Sequence, residues 1–538
     1  MNEFITEKDG VYLKQNDEKQ KISKYIDIKE IQHNIDELTF KAILEYQSIS
    51  GVSNHSMNRQ DYLNRNNLIT FQNIGIDVTH ENVKYLVEYL RQKEDSAIVK
   101  NTHSKLGFCK HNNIEIYKLY KAIGIESEYV GNYDIEPKGS KEEYINMLQN
   151  EVIGRCELEF AVISGLSAIL LAYIGEELGL DTLIIHLLGN STTGKSTALK
   201  LAISCFGYPD VKRNGLYSTY NGTNNALLKK LTGLKGVPHA LDEISMSNTT
   251  NFTNFVYAVA NGADKDRLNK DSQLKEKETW LTTILSNGEK SLLGSSNKNA
   301  GVQVRVIEAG NFVWTKNAEN SENINESILK NYGHIGIDFA EYVMNVEKHK
   351  LIKEFSDVRN ELQQVLEEKS LVDNMTSRRC NKYAILLHTA YLFQDMQKFE
   401  LDIEGIINMI VEIEEESIKN RNFNESVIDY IKQYVSKYRN KFQESSNNSS
   451  KDTIGKIIDK KEYIEIQMDK ISFEEMINQG GYEDKNVVLK ELKKSGFLNC
   501  EQDRFTRCRK NAFGYKEEVY VIQIEKEKNP VFPSNIKF

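Results

Sequence analysis

Residues Gly189-Asn190-Ser191-Thr192-Thr193-Gly194-Lys195-Ser196 place two glycines, a lysine and a hydroxyl at the spacing of a phosphate-binding loop. Glycine allows a tight turn and lets the chain approach an anion without a Cβ, which is the role for Gly189 and Gly194. Successive backbone N–H groups of such a loop, backed by a helix N-terminus, converge on phosphate oxygens. Lys195 then reaches the β- and γ-phosphates, the Ser196 hydroxyl is a ligand for Mg²⁺, and Thr197 completes the loop's hydroxyl set. The ligand implied is a nucleoside triphosphate, ATP, with Mg²⁺.

A second pair, Asp242-Glu243, follows the run Val237-Pro238-His239-Ala240-Leu241. Adjacent carboxylates at a strand's end divide the work: Asp242 holds the Mg²⁺ shell and Glu243 orients and polarises an attacking water. Asn287 sits at the end of Trp280-Leu281-Thr282-Thr283-Ile284-Leu285, where an amide can contact the water or the γ-phosphate; Asn-Gly is also an ordinary turn. Arg305, inside Val302-Gln303-Val304-Arg305-Val306-Ile307-Glu308, suits either a plain strand arginine or one that offsets transition-state charge in a neighbouring subunit.

These residues need strands that end together beside a helix N-terminus. The apolar run Thr182–Leu188 predicts a buried strand before the loop, and Ser196–Ile203 a helix after it. With the later apolar runs, residues 151–345 read as an α/β P-loop ATPase core. Residues 1–150 read as an α+β accessory domain of no evident chemistry, with strands at Leu38–Leu44 and Leu68–Phe71 and a helix at His80–Lys93. Residues 346–440 read as a helical segment, 441–453 as a polar linker and 454–538 as a small terminal module.

A chain of 538 residues with 40% hydrophobic content holds several domains with proper cores. The net charge of -9 argues against a surface coated for nucleic acid but leaves room for local basic patches. Six scattered cysteines without a Cys-x-x-Cys pair argue against a disulfide framework, and His103, Cys109 and His111 are the only clustered metal-ligand types. The uncharged stretch Phe160–Gly175 falls short of a span and reads as a buried helix, so no membrane association is expected. Reduced thiols and the absence of a leader pattern point to the cytoplasm.

The phosphate loop with its strand Leu183–Leu188, the Leu241-Asp242-Glu243 strand end and Leu285-Ser286-Asn287-Gly288-Glu289 together resemble the AAA+ ATPases. Within them the chain, from Leu158 onward, is most similar to the MCM-like branch and to the cassette chromosome helicases carried by staphylococcal mobile elements. That resemblance implies a ring-forming, hexameric ATP-dependent DNA helicase serving replication of such an element and moving 3′ to 5′ along one strand. It implies that Arg305 is the arginine finger. In Thr376-Ser377-Arg378-Arg379 it implies that Arg378, ahead of Arg379, is the second sensor that binds nucleotide. An element-encoded primase or polymerase stands as a candidate partner. The Asp-Glu-Ile-Ser sequence without a downstream Ser-Ala-Thr disfavours superfamily-two helicases, and a sigma-factor activator is disfavoured by the lack of a Gly-Ala-Phe-Thr-Gly-Ala loop.

Two regions are candidates for nucleic acid. The polar stretch Ala263–Lys275 corresponds, by the same resemblance, to a hairpin that enters the ring's channel, with Lys265, Arg267 and Lys270 on single-strand phosphates. At the C-terminus, helices at Ser472–Gln479 and Lys485–Lys494 followed by a basic hairpin predict a winged helix-turn-helix on duplex DNA. Lys490 and Lys493 would lie on its recognition helix and Arg507, Arg509 and Lys510 on its wing. Two other functions fit the same motifs: a replication initiator or loader that uses ATP as a switch without unwinding, and a DNA-binding regulator whose ATP site gates assembly.

Overall fold

The computed structural model describes residues 2–15, 18–249, 251–265, 268, 274, 277–296, 300–421, 423–444, 453–482, 485–510 and 515–526. At its centre five parallel strands are hydrogen-bonded in the order β2-β3-β4-β1-β5. They are β1 (Leu183–Leu188), β2 (Tyr217–Thr219), β3 (His239–Asp242), β4 (Thr283–Gly288) and β5 (Val306–Gly310). Their side chains are buried on both faces, as a parallel sheet covered by helices requires. The register pairs Leu187 with Asn287 and Leu241 with Ser286, so β1, β3 and β4 end level with one another. Ligands of such sheets bind outside the carboxyl ends of the strands, where the connection reverses direction.

Three elements begin or end away from their sequence positions. Pro238 precedes β3 rather than interrupting it, which removes the conflict between a proline and a central strand. The third strand covers Thr283–Gly288, later than Trp280–Leu285, because Trp280 is fixed outside it by its indole N–H to the Val259 carbonyl at 2.9 Å. Arg305 is not inside a strand: Ala300–Gln303 forms a helical turn and β5 starts at Val306.

The uncharged stretch is helix α1 (Cys156–Leu178), the one described helix long and apolar enough to cross a membrane. It is nonetheless buried, running beneath the sheet and crossing α2 (Lys195–Ser204), the helix after the phosphate loop. At that crossing a Cβ on Gly165 would lie 2.7 Å from the Ala202 carbonyl oxygen, so the two backbones touch where no side chain fits. Ser167 Oγ lies 2.8 Å from Thr283 Oγ1, tying α1 to β4.

The N-terminal part has its own core. A three-stranded antiparallel sheet (Glu3–Glu7, Gly10–Gln15, Glu18–Ser23) and a mixed five-stranded sheet enclose Val11, Ile28, Leu44 and Tyr62. They are covered by helix Val83–Glu94, through Leu86, Tyr89 and Leu90. Leu68–Phe71 is helical, not extended: Asn64 caps helix Arg65–Leu68 by accepting from Asn66 and Asn67 N–H, and a 3₁₀ segment, Ile69–Ile74, follows. Residues from Leu106 to Val152 pack into the same core as the central sheet, so the hydrophobic division falls well before residue 150.

The helical region includes Lys348–Glu368, α3 (Thr376–Gln397) and Ile403–Arg421. The next helix, Phe423–Lys437, belongs instead with the C-terminal core, where Val427 and Ile431 pack with Phe473, Leu489 and Ile522. Within the stretch read as a linker, Phe442–Glu444 pairs in parallel with Gly455–Asp459, making that stretch part of the module. Helices Lys470–Gln479 and Lys485–Lys494 and the hairpin Arg507–Lys510/Lys516–Glu525 complete it.

Candidate nucleotide site

The loop from Gly189 to Gly194 is shaped partly by its own residues and partly by a brace. Gly194 has φ +84°, and a Cβ there would lie 2.5 Å from Thr315 Oγ1 and 2.9 Å from Thr315 N. Trp314 N–H donates to the Thr193 carbonyl at 2.8 Å, so the chain after β5 holds the loop from below. Lys195 is buried, and its ammonium donates to the carbonyls of Gly189 (2.8 Å) and Asn190 (2.5 Å). The lysine thereby ties the two ends of the loop together.

Across the level strand ends runs one chain of hydrogen bonds. Ser196 Oγ donates to Asp242 Oδ1 at 3.0 Å; Asn287 Nδ2 donates to Ser196 Oγ at 3.2 Å; Glu243 N–H donates to Asn287 Oδ1 at 2.7 Å. Asn287 is buried at the tip of β4, between the loop-bearing β1 and the acid-bearing β3. Its amide therefore fixes the distance between the helix α2 hydroxyl and the Glu243 backbone. Glu243 takes up φ +59°, ψ +82°, a left-handed conformation that costs an L-residue on the order of 1 kcal/mol. Its carboxylate accepts from Ser245 N–H at 3.3 Å and Ser245 Oγ at 2.5 Å.

Ser196 Oγ and Asp242 Oδ1 are hard oxygen donors in mutual contact on one side of the loop. Mg²⁺ keeps several waters and takes few protein oxygens plus phosphate oxygens, and this donor pair fits that demand. Among the described residues no group of three or more His, Cys, Asp or Glu forms a metal cluster. His103 Nε2 donates to the Leu119 carbonyl at 2.7 Å, and its Nδ1 lies 2.9 Å from Ser127 Oγ.

Two features of the site had no signal in the motif. Glu289, just beyond β4, accepts from the Ser191 hydroxyl, and this bond, the Ser191 N–H and the Lys195 charge hold its carboxyl below the usual range. A carboxylate thus sits on the loop where phosphate oxygens would go. Behind the tips, Tyr220 OH and Ser286 Oγ are 2.7 Å apart and Ser286 Oγ is 2.8 Å from His186 Nδ1. His186 Nε2 donates to the Lys290 carbonyl at 2.9 Å, and burial lowers the pKa of this histidine. His239 is buried at the start of β3 beside Ser218 Oγ (2.8 Å), and burial, with Lys230, pushes it down to about 3. Both rings are neutral structural groups.

Arg305 lies at the other end of the sheet. The β1/β5 register runs from Ile184↔Val306 to Leu188↔Gly310, and Arg305, one residue before it, lies roughly 20 Å along the strands from Gly189 at about 3.3 Å per residue. Its guanidinium donates to the Gly301 carbonyl at 2.7 Å and lies over the Tyr257 ring at 4.6 Å. Arg378, at the head of α3, lines a cavity of about 390 Å³ together with Arg305, Lys382, Asn381 and Asp181. Arg379 points inward, fully buried, with Nε 2.6 Å from Glu414 Oε2 and one terminal nitrogen donating to the carbonyls of Gln303 and Val306 at 3.0 Å. Of the basic pair, Arg378 is the one that faces solvent space.

Antiparallel bridges Ala263↔Thr279 and Leu268↔Leu274 fold the polar stretch into a hairpin with Lys265 exposed on it. Arg267 and Lys270 lie outside the described residues. In the C-terminal module Lys490 and Lys510 are exposed. Lys493 is occupied by the carbonyls of Glu501 (3.3 Å) and Gln502 (2.8 Å). Arg507 braces Asn499 Oδ1 (3.0 Å) and the Cys500 carbonyl (3.2 Å), while Arg509 donates to the Cys508 carbonyl at 3.2 Å.

Comparison with known proteins follows this geometry closely. A family model described as a domain of unknown function (DUF927) matches residues 4–279, just over half of the chain. A second, described as the Cch helix turn helix domain, matches residues 422–527, starting at the helix that the structure assigns to the C-terminal core. No curated protein matches the sequence. A solved structure described as "SCCmec type IV Cch - active helicase" superposes with a TM-score of 0.78 at 23% identity, covering 97% of each chain. The fold, with its C-terminal helix-turn-helix domain, is therefore similar to that of the Cch structure over 97% of the chain.

Proposed function

The chain belongs to the family of the DUF927 domain, and from that premise we propose that it is an ATP-dependent DNA helicase built on an AAA+ core. The observation that carries this reading is the hydrogen-bonded chain Asp242–Ser196–Asn287–Glu243 across the level ends of β3, β4 and the loop after β1. It is an arrangement for cleaving a terminal phosphoryl group. Lys195 leaves the Gly189 and Asn190 carbonyls for the β- and γ-phosphates, and Gly189 to Thr193 supply backbone N–H groups. Ser196 and Asp242 hold Mg²⁺, which neutralises developing phosphate charge when bound. Glu243 orients the attacking water and accepts its proton; Asn287 keeps that carboxylate at a fixed reach from Ser196.

Arg305, at the far end of the sheet from its own loop, serves the nucleotide of a neighbouring copy, with Arg378 beside it on the same cavity. By the resemblance to the AAA+ helicases the working form is a ring, a homo-hexamer. In that ring the hairpin bearing Lys265, with Arg267 and Lys270, grips one DNA strand, and the winged module holds duplex through Lys490, Lys493, Arg507, Arg509 and Lys510. The similarity to a structure described as an active helicase supports the unwinding activity. The cytoplasmic role in replicating a mobile element, the 3′ to 5′ movement and the element-encoded primase or polymerase partner rest on the family resemblance in the motifs. Strand displacement on duplexes with 3′ or 5′ tails tests it: ATP-dependent unwinding of the 3′-tailed substrate is expected. Hydrolysis without displacement of either substrate would favour the initiator, loader or regulator instead.

A further inference from the structure

Lys382 belongs to no motif, yet it stands where the two trans-acting arginines meet. It lies one helical turn beyond Arg378 on α3, so both side chains leave the same face. Its Nζ donates to the Arg305 carbonyl at 2.6 Å. From the protein interior Arg379 holds the same turn by the carbonyls of Gln303 and Val306, so α3 grips the Arg305 turn from both sides. At its far end Arg305 rests on Tyr257 and the Gly301 carbonyl, contacts it can exchange for an anion without moving its backbone. The cavity of about 390 Å³ is lined by three cations, Arg305, Arg378 and Lys382, against a single carboxylate, Asp181.

We propose that Lys382 is a positioning residue of the hydrolysis site formed between copies. It fixes the turn that carries Arg305, and with Arg378 it completes a cationic recess for the terminal phosphates of the nucleotide on the neighbouring copy. This rests on the reading that Arg305 acts in trans. Burial depresses the Lys382 ammonium to about 7, with Arg379 and Arg305 adding to the effect and Asp181 opposing it. The charged groups facing it are Arg378 and Arg379 on its own helix, Arg305 before β5 and Asp181 before β1; the Arg379 charge is offset by Glu414 on helix Ile403–Arg421. Polyphosphate entering the recess favours the protonated amine, so engagement takes up a proton. Engagement is therefore strong below pH 7 and weakens as pH rises above it, until the pKa of the occupied recess is reached.

Steady-state ATP hydrolysis by full-length wild type, K382R and K382M, without DNA and at protein concentrations where assembly limits the rate, measures this. Across pH 6 to 9 the ratio of wild type to K382R should fall above pH 7, by up to about tenfold per pH unit, because arginine stays charged. K382M should be slow throughout while still binding a fluorescent ATP analogue at its own loop. Parallel wild-type and K382R profiles, or K382M turning over at the wild-type rate, would overturn the assignment, as would a pH effect that appears only with DNA present. Mixing Lys195→Ala with Arg305→Ala separates the two levels. Recovered activity in mixed rings together with parallel profiles sinks Lys382 alone, whereas no recovery under verified co-assembly sinks the trans reading and this proposal with it.

Discussion

Replacing Asn287 by alanine tests whether the bond chain across the strand ends is the catalytic framework. The substitution removes the donor to Ser196 Oγ and the acceptor for Glu243 N–H, both partly buried bonds of a buried side chain. Two hydrogen bonds at about 1 kcal/mol each, and a backbone N–H left partly covered at about 1–3 kcal/mol, give a stability loss of about 2–4 kcal/mol after Glu243 relaxes from its left-handed conformation. Hydrolysis should fall by about 10²–10³, the usual cost of losing one preorganised polar group at a reacting phosphate or carbonyl. Nucleotide affinity should change by less than about tenfold, since Lys195 and the loop N–H groups remain. Asn287→Asp separates framework from folding: it still accepts from Glu243 N–H, but it offers Ser196 no donor and sets a second carboxylate beside Asp242. It should therefore melt closer to wild type than the alanine variant yet hydrolyse no faster. Phosphate release, fluorescent-nucleotide titration and thermal melts on the three proteins decide the matter. A folded Asn287→Ala protein turning over within about threefold of wild type would refute the assignment.

Glu243→Gln should bind ATP and assemble but lose turnover, because the amide keeps contacts to Ser245 while losing the proton acceptor; near wild-type phosphate release would remove Glu243 as the base. His239 is held neutral down to about 3 against an ordinary value of 6.5, so the folded form binds fewer protons and stability is lost as pH falls below 6.5, by up to about 1.4 kcal/mol per unit. Melting temperature between pH 7 and 5 should accordingly decline less steeply in His239→Asn than in wild type. A chain ending at residue 421 should stay soluble and hydrolyse ATP without DNA, whereas one ending at 450 should aggregate on size exclusion, because Val427, Ile428 and Ile431 lose Phe473, Leu489 and Ile522.

What could be read from the sequence was what local chemistry determines. The apolar run before Gly189, the glycine spacing and the helix-forming stretch after Lys195 each act within a few residues, and the structure places strand, loop and helix there within one residue. Asp242, Glu243 and Asn287 were legible because each ends an apolar run, and a run's end marks the open edge of a parallel sheet. The misplaced elements were decided by partners elsewhere in the chain or by capping. Val302 looks like strand sequence but is buried in the cluster around Tyr220, Phe255 and Trp280, as part of a helical turn. Leu68–Phe71 has strand composition, and the Asn64 cap turns it into helix. Glu289 stood in the strand-tip motif without a role of its own, and Lys382 stood outside any motif, because their contacts lie 98 and 77 residues away.

The phosphate loop and the Arg305 turn stand at opposite ends of the central sheet, and the strand pairing shows how they are joined. On the proposed reading the loop after β1 binds one nucleotide while the turn before β5 reaches for the next copy's, and β1 and β5 are direct neighbours in unbroken register. Strands packed at crystal-like density move as a unit. On that reading the turn before β5 and the loop after β1 are connected through the paired strands and through Trp314 and Thr315, which follow β5 and brace the loop at Thr193 and Gly194. The acidic strand is tied in separately: Phe108 N–H donates to the Lys235 carbonyl at 2.8 Å, and Gly236 N–H to the Leu281 carbonyl at 3.0 Å, just ahead of β3 and β4. The segment around Phe108, which shares the central sheet's core, is thus tied to the chain that leads into Asp242 and Asn287.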